Sequence, residues 1–279
     1  MYDSHTHTVN SPDGIQTIDE LCLRAIEMGV KGVAVTEHTH LSPVYLHYFP
    51  DFKPIPAIRQ GIKDVLYGQE KYGDKLLLTC GLEVDEYLDD PKGNDELISL
   101  YDFDVLLGSI HYLKEGKWDL QYSKVVYDDT VSDQELKDYL KAYFEAIALM
   151  AERTDIDVLA HLTCPMRYIN GRHGRRLDIS EFTPIIKDIL KTIISRKIAL
   201  EINTTGLLRC EFGGCLCPDN NLITLYKELG GTLITLGSDA HRTQGIAQAF
   251  KETKDILKNL GFSEYHFYKN RKPMKITID

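Results

Sequence analysis

Short runs rich in Val, Ile and Leu alternate along the chain with stretches whose apolar residues recur every three or four positions. That alternation is the pattern of βα units wound around a parallel sheet. The apolar runs predict strands from the N-terminus to His5 and at 31–38, 75–84, 103–111, 155–162, 197–204 and 231–239. Several are apolar almost throughout, as strands covered on both faces must be. Between the first two, Thr17-Ile18-Asp19-Glu20 has the form of a capping box; Leu21, Ala25 and Met28 then share a helical face, and Gly29 ends the helix. The longest helix is expected at 133–153, with Leu136, Leu140, Phe144, Ile147 and Met150 as its core stripe. Shorter helices are expected at 180–196, 220–229 and 247–260. Seven strands, each followed by a helix or long loop, predict an α/β fold, a closed or distorted (β/α)7 barrel; an open doubly wound sheet is the alternative. No repeat, low-complexity tract or flexible linker interrupts the chain, so one domain is expected over 1–279.

Composition narrows the function. The 279 residues, 43% hydrophobic, can bury a large core without disulfides. No apolar run reaches the about 18 residues of a membrane span. Residues 1–5 are neither basic nor apolar, so no secretory signal is expected and the expected location is cytoplasmic. A net charge of −10 argues against binding long nucleic acids, which need a basic surface, but leaves small polar substrates open. Cys22, Cys80, Cys164, Cys210, Cys215 and Cys217 read as reduced thiols, and the last three fit no common structural zinc spacing. Nothing resembles a coiled coil or an exchanged arm, so no oligomeric state is implied.

The residues able to bind metal lie at the C-terminal ends of the apolar runs. The first ends in Asp3-Ser4-His5-Thr6-His7, the second in Glu37-His38 and the third in Gly81-Leu82-Glu83. The next two reach Gly108-Ser109-Ile110-His111 and Leu159-Ala160-His161, and the last finishes in Gly237-Ser238-Asp239-Ala240-His241. In parallel βα architectures these ends share one rim, where active sites form. A lone strand-end His is usually a hydrogen-bonded rim residue, but six strand ends offering ligand types together call for a metal centre. Imidazole and carboxylate donors without cysteine suit Zn, Mn or Fe, and their number exceeds the needs of one tetrahedral ion. Two or three divalent ions sharing carboxylates, suited to phosphate-ester hydrolysis, follow.

The set HTHT at 5–8, SPDG at 11–14, TEH at 36–38, GLEV at 81–84, GSIHY at 108–112, AHL at 160–162 and GSDAH at 237–241 resembles the PHP (polymerase and histidinol phosphatase) superfamily. Order, spacing and the ending Tyr268–Pro273 are similar to its histidinol-phosphate phosphatase branch, and the resemblance covers essentially the whole chain. It implies a distorted seven-stranded barrel with a trinuclear site. His5, His7, Glu83 and Asp239 would hold one ion, Glu83 would bridge to a second on His111 and His161, and Asp13, His38 and His241 would hold the third. Many relatives carry His at the position of Asp13 and Asp at that of Glu37, which would here orient His38 or contact substrate. Arg167 matches a phosphate-binding arginine of the branch, and its planar guanidinium suits phosphate. Arg172, His173, Arg175 and Arg176 read as solvated loop residues; Asn203 and Arg209 are candidate substrate contacts. His40, His47, His173 and His266 stay outside the ligand set.

The implied reaction is hydrolysis of L-histidinol phosphate, a small-molecule phosphate ester, to L-histidinol and phosphate. A hydroxide bridging two ions would attack phosphorus, and Asp239 and His241 are candidates to protonate the leaving alkoxide. Three rivals remain: a nuclease or nucleotide phosphoesterase on the same site, an amidohydrolase-type enzyme, and a non-catalytic metal-binding domain. The second would want a strand-end lysine, which no candidate strand presents; the third would have lost ligands, and all nine positions keep metal-capable side chains.

Overall fold

The computed structural model describes residues 1–113, 123, 125 and 127–279. All seven expected strands are present: β1 (Tyr2–Thr6), β2 (Gly32–His38), β3 (Leu77–Asp85), β4 (Val105–Ser109), β5 (Val158–Leu159), β6 (Ala199–Asn203) and β7 (Ile234–Gly237). They pair in chain order, every neighbour parallel. Beyond β7 the chain returns to β1. Asp239 N donates to His5 O (2.8 Å), His7 N donates to Ala240 O (2.9 Å), and Thr6 bridges Ala240 in parallel register. This seam makes the sheet a distorted (β/α)7 barrel and disposes of the doubly wound alternative. A hairpin that the apolar runs did not suggest follows: β8 (Glu264–Lys269) lies parallel to β7 and β9 (Lys272–Thr277) antiparallel to β8.

The helices are α1 (Ile18–Glu27), α2 (Pro43–Tyr48), α3 (Pro54–Tyr72), α4 (Pro91–Ile98), α5 (Asp133–Arg153), α6 (Thr183–Arg196), α7 (Asn220–Glu228) and α8 (Phe250–Asn259). Thr17 caps α1 as expected, its hydroxyl accepting from Glu20 N while Glu20 accepts from Thr17 N at 2.8 Å. Gly29 follows at φ +70°, a conformation that costs glycine little. Ser132 and Glu135 form a second capping box on α5. Helices α2, α3 and α4 lie where none was expected, and each opens with a proline whose fixed φ suits a helix start.

Alternate residues of each strand face opposite ways, which gives two cores. Val33, Val35, Leu78, Cys80, Leu82 and Val84 point outward against Leu21, Ile58 and Val65 of the helical layer. Inside the barrel, Ala34, Val105, Leu107, Val158, Ala160 and Ala199 pack with Phe267 and Tyr268 of the hairpin. Phe267 is fully buried, its ring centroid 5.2 Å from that of Tyr2, so the hairpin floors the barrel. Among the described residues no helix is long and apolar enough to cross a membrane. Replacing the floor should be costly: Phe267→Ala is expected to lose about 3–5 kcal/mol in urea-induced unfolding, as for other buried aromatics. A loss under about 1 kcal/mol would show that the floor collapses around the gap.

Candidate metal centre

The inward-facing residues of the strands change from small or apolar at the floor to polar or ionisable at the rim. On β2 the series is Ala34, Thr36, His38; on β3 Thr79, Gly81, Glu83, Asp85; on β6 Ala199, Glu201, Asn203. All nine sequence-predicted ligands converge there. Glu83 stands at the centre, fully buried. Its Oε2 lies 2.9 Å from His5 Nε2, 3.3 Å from His7 Nε2 and 3.2 Å from His38 Nδ1. Its Oε1 lies 2.9 Å from His161 Nε2 and 3.3 Å from His111 Nε2. Asp239 Oδ1 is 3.7 Å from His5 Nε2 and 3.5 Å from His7 Nε2. Asp13 Oδ1 reaches His241 Nε2 at 3.3 Å and His38 Nε2 at 3.8 Å.

Imidazole orientation is fixed from outside the cluster. His5 Nδ1 is 2.7 Å from Glu201 Oε1, a carboxylate that also accepts from His161 N at 2.7 Å. His7 Nδ1 is 3.1 Å from Ser11 Oγ, whose hydroxyl donates to Glu37. His38 Nδ1 and His111 Nδ1 lie 3.0 and 2.8 Å from the same Asp85 oxygen, and His241 Nδ1 lies 3.0 Å from Asp239 O. With these Nδ1 atoms carrying the proton, each Nε2 turns its lone pair inward. His5 Nε2 and His7 Nε2 then face each other at 3.0 Å, together with oxygens of Glu83 and Asp239. Once both rings are neutral, four electron pairs converge with no donor between them, which a divalent cation would satisfy. Donor groups His5/His7/Glu83/Asp239, His38/Glu83/Asp85/His111 and Asp13/His38/His40 each gather close enough to hold an ion.

Electrostatics agree. Burial tends to raise the Glu83 carboxyl, but the fields of His5, His38 and His111 outweigh it and hold it well below the usual carboxylate range. Burial likewise loses to His5, His7 and His241 at Asp239, which is also held low. At His5 and His111, burial opposes protonation and the facing carboxylates win, lifting both well above the ordinary imidazole value. His241 rises to about 9, against burial, through Asp13 and Asp239. His7 goes down, through burial and the fields of His241 and His38.

The remaining predicted residues divide. Arg167, on a π-helical turn (Arg167–Arg172), is buried; its Nη2 donates to Asn203 Oδ1 and its Nη1 lies 3.8 Å from Asp239 Oδ2. Asn203 also donates to Asp239 Oδ2 at 3.4 Å, so both sit beside the cluster. Glu37 does not. Next to His38 on β2 it faces the opposite way, and its carboxylate accepts from Thr8 N, Thr8 Oγ1 and Ser11 Oγ. Ser11 Oγ meets His7 Nδ1 and accepts from His38 N at 3.1 Å, so Glu37 steadies both through Ser11, while the His38 ring faces Asp85. Arg209 is exposed, paired with Glu211 at 2.8 Å and laid 4.2 Å over Phe212, and among the described residues touches none of the cluster. His40, set aside as a loop residue, is buried and stacks between His38 (4.1 Å) and Tyr45 (3.5 Å). Asp85 and Glu201 also escaped the sequence reading, although each lies two residues from a residue it singled out.

The barrel and this rim define the class. The chain belongs to the PHP domain family, whose sequence profile matches residues 3–205. A Clostridium acetobutylicum protein bearing the name probable histidinol-phosphatase is 31% identical over 96% of this chain and 97% of its own length. A Thermotoga maritima protein of the same name is 29% identical over the full length of both. In structure, the chain superposes on histidinol phosphate phosphatase from Lactococcus lactis, solved with Zn, L-histidinol and phosphate, at a TM-score of 0.79 and 22% identity over 98% of each chain.

Two tests follow from the geometry. A Cβ on Gly237 would lie 2.0 Å from Glu201 Oε1 and 2.8 Å from His5 Cβ. Gly237→Ala should therefore push apart the Glu201–His5 pair, lower stability by about 1–3 kcal/mol and weaken divalent-ion binding; unchanged binding in titration calorimetry would contradict this. Because His5, His111 and His241 hold protons to unusually high pH, ions must displace them. Affinity should rise as pH increases from 6 to 9, and calorimetry in buffers of different ionisation enthalpy should register proton release.

Proposed function

We propose that this chain hydrolyses L-histidinol phosphate to L-histidinol and phosphate, a late step of histidine synthesis. The observation that carries the reading is Glu83, one carboxylate with an oxygen turned to each of two imidazole groups. Two or three divalent ions of the Zn, Mn or Fe type would be held by His5/His7/Glu83/Asp239, by Glu83/His111/His161 and by Asp13/His38/His241; when bound they supply a nucleophile at neutral pH and neutralise phosphate charge.

The chain's own groups account for the rest. Arg167, buried and beside Asp239, offers a guanidinium to the phosphate where water does not screen it. Asn203 accepts from its Nη2 and so fixes the guanidinium plane. For the leaving alkoxide, His241 is better placed than Asp239 in a chain loaded with two ions. In the metal-free chain Asp13 and Asp239 raise its imidazole to about 9 against burial, whereas the Asp239 carboxyl is held well below the usual carboxylate range. The names of the full-length relatives and the ligands of the Lactococcus lactis structure support the substrate.

The test compares turnover of histidinol phosphate, a mononucleotide and a single-stranded oligonucleotide by metal-loaded protein. Histidinol phosphate should be strongly preferred, and Glu83→Ala should lower kcat/KM by at least about 10²-fold, the usual loss on removing one charge-stabilising group. Full activity in the metal-stripped Glu83→Ala protein would overturn the mechanism. Preference for the mononucleotide would keep the mechanism and change the substrate.

A further inference from the structure

Asp85 lies two residues beyond Glu83 on β3, so both side chains face the barrel interior. Glu83 presents its oxygens to the Nε2 atoms of His5, His7, His111 and His161 and to His38 Nδ1, whereas Asp85 faces only Nδ1 atoms. Its Oδ1 lies 3.0 Å from His38 Nδ1 and 2.8 Å from His111 Nδ1, and accepts from Ser109 Oγ at 3.2 Å. Its Oδ2 accepts from His40 N at 3.1 Å and lies 3.1 Å from His40 Nδ1. The backbone holds it in turn, since Asp85 N donates to Thr39 Oγ1 at 3.1 Å. Asp85 is fully buried, and both oxygens are engaged before any cation arrives.

In the proposed assignment His38 and His111 serve different ions, although with Glu83 and Asp85 they also gather closely enough to share one. His38 Nε2 turns toward Asp13, 3.8 Å away, and His111 Nε2 toward Glu83 Oε1, 3.3 Å away. We infer that Asp85 is a positioning residue shared by two ion sites: one carboxylate oxygen fixes the tautomer and ring orientation of a ligand in each. The two sites therefore strengthen or fail together. Glu201 is the counterpart for the third position, where it faces His5 Nδ1 alone among the ligand side chains. The inference rests on the proposal that the cluster binds cations, and it goes beyond it by stating which sites share a support.

The test uses metal-stripped full-length protein titrated with Mn²⁺ and with Zn²⁺ in calorimetry, with bound metal counted by elemental analysis after dialysis. Asp85→Asn replaces one acceptor oxygen by an NH₂ group, so the shared Oδ1 role can no longer be filled for both rings along with the His40 contact. The expected result is about a 10- to 100-fold weakening of the binding steps at His38 and at His111, with the His5/His7 step unchanged. Glu201→Gln, which alters the acceptor of His5 Nδ1 and of the His161 backbone N–H, should weaken the His5 step most and leave the His38 step unchanged. Ser109→Ala, which removes a hydroxyl that donates to Asp85 at 3.2 Å and lies 3.5 Å from His111 Nδ1, should leave the His38 and His5/His7 steps near wild type. Circular dichroism melts of the metal-free variants separate positioning from folding, and Asp85→Asn should melt cooperatively with native far-ultraviolet signal.

Unchanged binding in Asp85→Asn would overturn the inference, as would weakening of one step only. Equal loss of every step together with a collapsed metal-free melt would also overturn it, by making Asp85 a support of the fold. Failure of wild-type protein to bind either ion would instead remove the parent reading.

Discussion

The site depends on where each imidazole puts its proton. A ligating histidine must hold the proton on one nitrogen and offer the lone pair of the other, and an acceptor outside the cluster decides which. Here Glu201, Ser11, Asp85 and the carbonyl of Asp239 take the Nδ1 side of His5, His7, His38, His111 and His241. The surrounding fold exists to place those acceptors. Gly237 leaves the room in which Glu201 reaches His5, and Glu37 holds Ser11 from the far face of β2.

The barrel turns a period of two into depth. Inward positions of a strand are small or apolar near the floor, where Ala34, Val158 and Ala199 pack on Phe267, and ionisable two or three steps later. The same residues thus provide the hydrophobic core that stabilises the chain and the dry walls that make charges in the rim strong. Crowding this many carboxylates in a buried space is tolerated because imidazoles or cations lie between them. His40, His161 and Asp239 carry backbone at φ +39°, +22° and +53°, a strain typical of sites whose surroundings over-determine them.

Much of this was legible in the residues alone. The apolar runs located seven strands, the capping residues located α1, and the strand-end His, Asp and Glu located the side chains that gather at the rim. What escaped had physical reasons. Asp85, Glu201 and His40 act as supports or as packing partners, and the sequence does not show which histidine such a side chain reaches across a strand. The alternation that linked His5 to His7 applies equally to Glu83 and Asp85, to His38 and His40 and to Glu201 and Asn203, and carried to the end it would have named all three. Glu37, expected to orient His38 or contact substrate, faces away from the cluster because neighbours on a strand face opposite ways, and it reaches His38 only through Ser11. Arg209 was proposed because it follows β6 closely, yet its loop carries it out to Glu211 and Phe212. The prolines opening α2, α3 and α4 were start signals left unread, and β8 hides its buried face among polar neighbours.

The seam between β1 and β7 has a consequence for the order of events in the cell. His5 and His7 meet Asp239 only when the first strand is zipped to the turn after the seventh, a separation of more than 230 residues in sequence. Contacts so distant along the chain form late, because loop closure must precede them. A nascent polypeptide still short of Asp239 lacks the complete His5/His7/Glu83/Asp239 donor group. Any ion held between β1 and β7 would therefore load only once the barrel is complete.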